Sequence, residues 1–342
     1  MVGEPKIKME SETEWLGLDI GGANLKAATT TGWSEEIPFP LWKHPEKLID
    51  QLKVLNHSGP SFDKIAVTMT GELCDCFLSK RQGVLHIVEA VETAFSGAKI
   101  LYWTNQGGWV AEAVAREFPY DLAASNWLAL AQFLSENFVD KPAVLVDMGS
   151  TTTDILFLIP GKVLCQGRDD PGRLDSGELV YTGYIRSPLC SLVQEKICTE
   201  VFATTLDAHL ILGNLQENPS RSDSADGRAW TVKNAHSRIA RMLGADLETS
   251  TQEERVSLAN KAISTQWARI ASGIQEVLER NEKASQFILG GQGAPWIGQR
   301  LMESNFTSEN GVCYLRELWG EEGSRVACAR AVAQMAKNHG SK

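Results

Sequence analysis

The chain of 342 residues is long enough for two domains, and its 43% hydrophobic and 22% charged residues are typical of a globular protein. Its net charge of −10 argues against a nucleic-acid partner, because binding to a phosphate backbone needs a basic surface. The seven cysteines are scattered, as is typical of reduced cytoplasmic thiols. Since no apolar run is long enough for a signal peptide or a membrane helix, we expect a cytoplasmic protein with no membrane partner.

The first predicted elements follow a charged segment, residues 1–14, for which we expect a flexible tail. A buried strand over 16–20, a Gly-Gly turn and a second strand over 25–30 come next. Apolar residues at helical spacing after a proline predict a helix over 45–56. A short apolar strand over 64–70 follows this helix.

The middle of the chain alternates further strands and helices. The pattern predicts a strand over 99–103, an alanine-rich helix over 108–118 and a second helix over 126–137. A strand over 143–148 then forms a hairpin with a strand over 155–159.

The last third of the chain is mostly helical by pattern. Residues 217–230 are dense in Ser, Asp, Asn, Pro and Gly and predict a loop. A helical pattern over 235–280 has a polar break near 249–253, and a strand, a Gly-rich turn and a helix follow over 286–301. An alanine-rich helix over 324–337 closes the chain.

This order predicts an α/β protein with an internal repeat, because two similar halves each begin with a strand, a turn and a strand. We assign residues 15–140 to the first domain. Residues 141–342, including the closing C-terminal helix, are assigned to the second.

The repeat is clearest in two stretches, WLGLDIGGANLKAATT (15–30) and AVLVDMGSTTTDILFL (143–158). In each, an apolar strand reaches an Asp and then a cluster of very small residues. Such a turn presents successive backbone N–H groups to a phosphate, and glycine permits a closer approach than a Cβ would. An Asp at the strand end is well placed to hold a Mg²⁺ ion that bridges phosphates. The sequence therefore predicts two phosphate-binding turns.

Other nucleotide and catalytic motifs are absent. The chain has no G-x-x-x-x-G-K-[ST], no G-x-S-x-G and no H-E-x-x-H pattern. A third Gly-rich turn, GGQGAP over 290–295, follows a strand and opens a helix. It fails as a dinucleotide fingerprint because Trp296 stands in place of the third glycine.

The order of five motifs resembles that of the superfamily of sugar kinases, Hsp70 and actin. The motifs are DIGGANLK, TMTGELCDCF, DMGSTTTDI, LGGQGAPW and SRVACARAVA, and together they span nearly the whole chain. The resemblance implies two ribonuclease-H-like (actin-like ATPase) domains around a central phosphate-binding cleft. It also implies an adenosine-type turn at Gly290, Gly291 and Gly293.

Within that superfamily, MTGELCDCF and SGELVYTGYIRSPL resemble the hydantoinase/oxoprolinase-related proteins linked to tetrahydromethanopterin one-carbon transfer. Archaeal members of that group resemble the methanofuran-pathway synthases. The resemblance implies a transferase in methanofuran-type cofactor biosynthesis. Its substrates would be an aminomethyl-furanmethanol diphosphate and a phenolic amine of the tyramine type, and it would form an aryl ether and release diphosphate.

For this chemistry the matching positions imply specific roles. Asp19 and Asp147 would hold Mg²⁺, Asp19 acting in catalysis as well, and either Asp154 or Glu72 would be the base for the phenol. The groups lining the phosphates would be Gly21, Gly22, Lys26, Gly149, Ser150, Thr151 and Thr152. Glu178, Tyr181 and Arg186 would contact substrate, Arg186 through a carboxylate on the acceptor.

Each role has a structural alternative. Lys26 also fits a surface position on a strand, and Glu72 also fits a role as the cap of the helix that follows it. Asp154 also fits a residue that hydrogen-bonds within its own turn. Glu178 and Arg186 equally fit ion pairs.

Two other activities stay open from sequence. One is an ATP-dependent kinase of the sugar-kinase type, with Asp147 or Asp154 as the catalytic aspartate. The other is an ATP-coupled enzyme of the hydantoinase/oxoprolinase type. ATP as a cofactor beside Mg²⁺, and a homodimer, are likewise left open.

Overall fold

The computed structural model describes residues 14–59, 62–281, 284–304, 306 and 311–339. The expected N-terminal tail therefore lies, except for Glu14, outside the described residues. The described part divides into two compact units. The first unit runs to Asn137 and includes the residues from Glu321 onward, and the second unit comprises Phe138–Gly320.

The strands and helices have the following bounds. The strands are β1 Leu16–Ile20, β2 Asn24–Thr29, β3 Ser34–Pro38, β4 Lys64–Met69, β5 Lys99–Trp103, β6 Trp109–Val110, β7 Ala143–Met148, β8 Thr153–Ile159, β9 Lys162–Leu164, β10 Leu179–Val180, β11 Gln286–Gly290 and β12 Val312–Tyr314. The helices are α1 Leu48–Ser58, α2 Lys80–Ala94, α3 Glu112–Glu117, α4 Asn126–Asn137, α5 Asp170–Asp175, α6 Thr205–Ile211, α7 Val232–Met242, α8 Gln252–Glu279, α9 Ala294–Met302, α10 Leu315–Arg325 and α11 Ala327–His339.

Each unit contains its own sheet, and the two sheets have the same core topology. In the first unit the strand order is β3-β2-β1-β4-β5-β6, with β1–β2–β3 antiparallel and β4 and β5 parallel to β1. In the second unit β9, β8, β7, β11 and β12 repeat this order and these directions, while β10 also pairs with β8. A strand order of 3-2-1-4-5 with this mixture of directions is the ribonuclease-H-like topology. The predicted fold class of two such domains is confirmed.

The central strands are apolar because helices cover both of their faces. All five residues of β1 are buried, as are five of the six in β7. Each unit has its own hydrophobic core. The carboxyl ends of the parallel strands, where α/β proteins place their ligands, carry Asp19 and Ile20 in the first unit and Asp147 and Gly290 in the second.

The C-terminal helix α11 packs on the first sheet, whereas the predicted boundary places it in the second domain. It contacts β1, β2, β4 and α4, all in the first unit. Gly17 makes this packing possible, because a Cβ there would lie 1.9 Å from the Ala329 carbonyl oxygen. The predicted boundary at residue 140 lies close to the observed division after Asn137. Residues 321–339, however, belong to the first unit and not to the second.

Several elements differ from the sequence predictions, and two of them lie in the first unit near the TMTGELCDCF motif and β5. No element is predicted for residues 80–94, where the structure has α2, capped by the side chain of Ser79. The helix predicted over 108–118 is shorter, because Trp109 and Val110 pair with β5 as β6. None of the helices in the described ranges is long and apolar enough to cross a membrane.

We expect Gly17→Ala to destabilise the first unit by about 1–3 kcal/mol, because the added methyl group forces β1 away from α11. Urea unfolding monitored by circular dichroism measures this loss. The matched control is Gly108→Ala, where the nearest atom to the added Cβ is 4.0 Å away. Equal stability of the two variants would contradict the tight contact.

Candidate functional site: two anion-binding turns

The turn between β1 and β2 has four of its carbonyl oxygens occupied by backbone donors. The Ile20 carbonyl accepts from Thr70 N and Gly71 N, both at 3.0 Å. The other three pairs are Leu41 N to Gly22 O at 3.0 Å, Phe39 N to Ala23 O at 2.9 Å and Gly21 N to Asn24 O at 3.1 Å. Within the described residues no acceptor is recorded for the N–H groups of Gly22 and Ala23. The turn is therefore left with open donors, as an anion site requires.

Gly22 has no room for a side chain, because a Cβ would lie 2.7 Å from the Cys74 Sγ. Cys74 and Gly71 belong to the TMTGELCDCF motif, which packs against this turn. The motif thus supplies both hydrogen-bond donors and close packing to the first turn.

Asp19 is the buried acid of the first turn. It is 5% exposed, and its Oδ1 has no hydrogen-bond partner among the described residues. Burial raises the pKa of Asp19 from 3.8 to about 6. The positive charge of Lys26 opposes this rise, and the negative charge of Glu36 adds to it. The three residues are register partners across β1, β2 and β3, so their side chains share one face of the sheet.

The turn between β7 and β8 repeats the same backbone pattern. Four carbonyl oxygens accept hydrogen bonds from backbone N–H groups. Met148 O accepts from Gly293 N at 3.0 Å, and Gly149 O accepts from Tyr184 N at 2.9 Å. Ser150 O accepts from Ile185 N at 3.1 Å and from Arg186 N at 2.8 Å, and Thr152 O accepts from Gly149 N at 2.9 Å. For the N–H groups of Ser150, Thr151 and Thr152, the described part of the chain supplies no acceptor. Three successive open donors form a site suited to phosphate.

The third Gly-rich turn lies against the second. Gly290 pairs in register with Asp147, and a Cβ on Gly290 would lie 2.9 Å from the Asp147 Oδ1. Gly291 has a φ of 75°, and a Cβ there would lie 2.2 Å from the Met148 carbonyl oxygen. Only glycine fits at Gly291, because both its backbone angle and its contacts exclude a side chain. Whether this turn receives a nucleoside stays a prediction.

Asp154, a predicted base, forms an ion pair with Arg173. Arg173 is 2% exposed and also donates to the Glu178 carbonyl at 3.3 Å. Asp154 is the register partner of Asp147, so the two carboxylates lie on the same face of the sheet. The second turn therefore has an acid where the first turn has Lys26.

Glu72, the other predicted base, is buried and directly follows Gly71. Helix α2 packs on its backbone, because a Cβ on Gly83 would lie 2.0 Å from the Glu72 carbonyl oxygen. The sequence signal for this arrangement was Gly83 within an otherwise amphipathic stretch. The role of Glu72 as a base stays a prediction.

The three predicted substrate contacts occupy different environments. Glu178 is buried, and its carboxylate accepts from Gln166 N at 2.7 Å and Gly167 N at 2.9 Å. Arg280 Nη2 lies 3.6 Å from the Glu178 Oε1. Tyr181 is 65% exposed, and Arg186 is also exposed. Of the three, only Arg186 has its backbone bonded to the second turn, and none of the substrate roles is tested by these contacts.

The described residues contain no group of three or more His, Cys, Asp or Glu side chains arranged to hold a metal ion. Mg²⁺ does not require such a group, because it is usually bound through one or two carboxylates, water and substrate phosphates. The unpartnered Oδ1 of Asp19 fits such a ligand.

Comparison with known proteins gives the family. Residues 63–184 match the model of the hydantoinase/oxoprolinase family. Over 331 residues the chain is 33% identical to the (4-{4-[2-(gamma-L-glutamylamino)ethyl]phenoxymethyl}furan-2-yl)methanamine synthase of Methanocaldococcus jannaschii, covering 94% of this chain and 96% of the relative. The chain belongs to this synthase family. A synthase of the same name from Methanococcus vannielii is 29% identical over 216 residues, which is 61% of this chain and 96% of the relative.

The resemblance to the hydantoinase/oxoprolinase-related group and its methanofuran-pathway synthases is thus confirmed, and the chain is an enzyme. Among solved structures, a nucleotide-free acetone carboxylase has the same fold, with a TM-score of 0.53 at 11% identity, over 92% of this chain and 70% of that one. A ROK hexokinase from Thermus thermophilus matches 96% of this chain and 100% of its own, at 16% identity and a TM-score of 0.46.

We expect Asp19→Asn to stabilise the protein at neutral pH in the absence of metal. The folded-state pKa of about 6 lies above the ordinary 3.8, so the stability due to protonated Asp19 is complete below about pH 4 and is lost as the pH rises through about 6. The carboxylate therefore costs up to ~3 kcal/mol above about pH 7, and the amide avoids that cost.

Urea unfolding in EDTA between about pH 4 and pH 8 measures the difference between Asp19→Asn and the wild type. The control is Asp63→Asn, which neutralises an exposed acid of the same unit. A stability difference that does not change with pH would contradict the raised pKa of Asp19.

We expect Arg173→Met to destabilise the second unit by about 3 kcal/mol, because it leaves Asp154 without its cation in a largely buried position. The double variant Asp154→Asn/Arg173→Met should lose less than the two single losses added together. Thermal unfolding measures both. Lys261→Gln, which breaks an exposed pair with Glu195, should cost less than about 1 kcal/mol, and a similar small cost for Arg173→Met would contradict the buried ion pair.

Proposed function

We propose that the protein joins the phenol of a γ-glutamyl-tyramine acceptor to the furfuryl carbon of an aminomethylfuran, forming an aryl ether in methanofuran-type cofactor biosynthesis for tetrahydromethanopterin-linked one-carbon metabolism. The observation that carries the proposal is the match over 94% of the chain to a synthase named for such a product. That name describes a phenoxymethyl link on a furan and a glutamylaminoethyl chain on the phenyl ring.

The proposed leaving group is diphosphate. The phenol oxygen forms a C–O bond to the furfuryl carbon, the bond from that carbon to the diphosphate oxygen breaks, and its electron pair leaves with the diphosphate. The phenolic proton passes to a base. The reaction needs no oxidant or reductant, and the furan oxygen spreads the positive charge that develops on the carbon.

The two turns support an anionic leaving group. Their carbonyls face neighbouring backbone donors, and the N–H groups of Gly22, Ala23 and Ser150–Thr152 are open. Donors fixed before the reaction stabilise charge as it develops on the departing oxygen. Lys26, beside Asp19, adds a cation to the first turn.

Asp19 and Asp147 would hold Mg²⁺. Each is the last residue but one of a central strand that leads into one of the two turns. When bound, the ion would neutralise charge on the diphosphate. Asp19 supports the assignment best, because its buried Oδ1 otherwise has no partner in the described structure.

Glu72 is the base we prefer. The phenol has an ordinary pKa near ~10, so its proton must be accepted as the ether forms. Asp154 is a poorer candidate because its carboxylate is paired with Arg173. Glu72 lies in the motif that contacts the first turn, one residue after a donor to the Ile20 carbonyl.

Arg186 is a candidate for recognising the acceptor. A γ-glutamyl group leaves a free α-carboxylate, and guanidinium binds carboxylates with two hydrogen bonds. The Arg186 side chain is exposed while its N–H is fixed on Ser150 O at 2.8 Å.

One observation favours a second candidate function, an ATP-dependent kinase. The Gly290–Gly293 turn lies directly against Asp147 and Met148, next to the second anion-binding turn. A nucleoside in the third turn would have its phosphates near the second. The test of the first proposal therefore includes ATP as a separate arm.

The test is mass spectrometry of purified protein with Mg²⁺, the furanmethanol diphosphate and γ-glutamyl-tyramine, without nucleotide. We expect the ether and released diphosphate, with activity lowered at least about 100-fold in Asp19→Asn and in Asp147→Asn. Asp63→Asn, an exposed acid, should retain full activity.

Two further measurements test the role of Arg186 and the kinase alternative. Bare tyramine should react with a higher KM than the γ-glutamyl acceptor in the wild type, and Arg186→Gln should remove that difference. The proposal would be overturned in favour of a kinase if no sample forms the ether and a phosphorylated form of one of the added substrates appears only when ATP is present.

A further inference from the structure

The second anion-binding turn is held by a neighbouring segment, residues 182–187, which we call the strap. Three consecutive strap N–H groups donate to the Gly149 and Ser150 carbonyls. The two backbones touch, because a Cβ on Gly183 would lie 2.4 Å from Thr151 N and 2.5 Å from the Ser150 carbonyl carbon. The position of the strap therefore decides where the turn directs its open N–H groups.

The strap is in turn fixed by Gln266 of α8, a fully buried residue. Its Nε2 donates to the Gly183 carbonyl at 2.8 Å and to the Thr182 Oγ1 at 2.9 Å. The Thr182 hydroxyl donates to the Ser187 Oγ at 3.1 Å, and Ser187 Oγ accepts from Gly183 N at 2.8 Å. Both ends of the strap are thus tied to one amide group.

The orientation of this amide is set by His209 on α6. The Gln266 Oε1 lies 3.0 Å from the His209 Nε2, and Asn214 Nδ2 lies 3.2 Å from the His209 Nδ1. Burial lowers the pKa of His209 to about 3, so the ring is neutral. A neutral ring that accepts at Nδ1 carries its proton on Nε2, and this proton fixes Oε1 as the acceptor. The amide group must then direct Nε2 toward the strap.

The geometry points to Gln266 as a positioning residue for the second anion-binding turn. It lies in α8, far along the chain, and its hydrogen bonds go to the strap and to His209. It acts through the Gly183 carbonyl, whose peptide group packs on Ser150 and Thr151. This inference rests on the proposed function only in that the turn binds the diphosphate of the substrate.

The experiment measures binding of inorganic diphosphate with Mg²⁺ by calorimetry, with hydrogen exchange of the peptides covering residues 148–153 and 182–187. In Gln266→Met, which keeps the size but removes the donors, we expect about tenfold weaker binding. We also expect faster exchange of the Tyr184, Ile185 and Arg186 amides, because the strap then keeps its bonds to Thr205 and Leu206 of α6 but loses those to α8.

Arg255→Met is the matched control. Arg255 is a buried polar residue of the same helix, and it bonds to the Ser250 carbonyl oxygen at 2.6 Å and to the Ser250 Oγ at 2.7 Å, away from the strap. The Arg255→Met variant should be less stable than the wild type but should bind diphosphate with the same Kd. Gln266→Glu is the second variant, because a protonated carboxyl still donates to Gly183 while a carboxylate cannot. Relative to the wild type, its binding should recover as the pH is lowered from about 8 to about 5.

The outcomes separate the two proposals. If the wild type does not bind diphosphate, the role of this turn in the proposed function fails. If the wild type binds and both Gln266 variants bind equally well with unchanged exchange, Gln266 is only a core residue and the inference is overturned. If Gln266→Met does not fold, Gln266→Glu and its pH dependence decide the question.

Discussion

The constraint on which the site depends is the direction of the peptide groups in two short turns. A hairpin turn offers an anion both attractive N–H groups and repulsive carbonyls, so it becomes an anion site only when its carbonyls are bound elsewhere. In the first turn the donors come from residues near Phe39–Leu41 and from Thr70 and Gly71, and in the second they come from Tyr184–Arg186 and Gly293. The surrounding sequence is needed to supply these donors.

The same scaffold carries two different charge arrangements. Across the hairpin, Asp19 faces Lys26, whereas Asp147 faces Asp154, whose charge is met by buried Arg173. The first turn has a cation near its acid, and the second has an additional acid held by an internal ion pair. The two turns therefore differ in the charges beside their acids.

The sequence was sufficient for several features that depend on local pattern, although it missed α2. The apolar strands, the small residues after Asp19 and Asp147, and the third turn are local signals, and each was found in the structure. The place of α11 was not predictable, because an alanine-rich helix packs on either sheet equally well by pattern, and the contact is decided by Gly17 some 300 residues earlier. Neither was the pairing of Asp154 with Arg173, because it joins residues whose proximity follows only from the path of the chain after β9.

The motif SGELVYTGYIRSPL contacts the second turn through its main chain. The one acid of the motif, Glu178, is buried and accepts hydrogen bonds from two backbone N–H groups of its own unit. The contribution of the motif to the second turn is instead made by main-chain groups of residues 184–186 and by Gly183, which has no side chain at all. Such a contribution requires a fixed backbone, and a fixed backbone at this place requires buried partners such as Gln266 and Ser187. The motif therefore acts on the second turn through small and hydrogen-bonding residues that hold the strap.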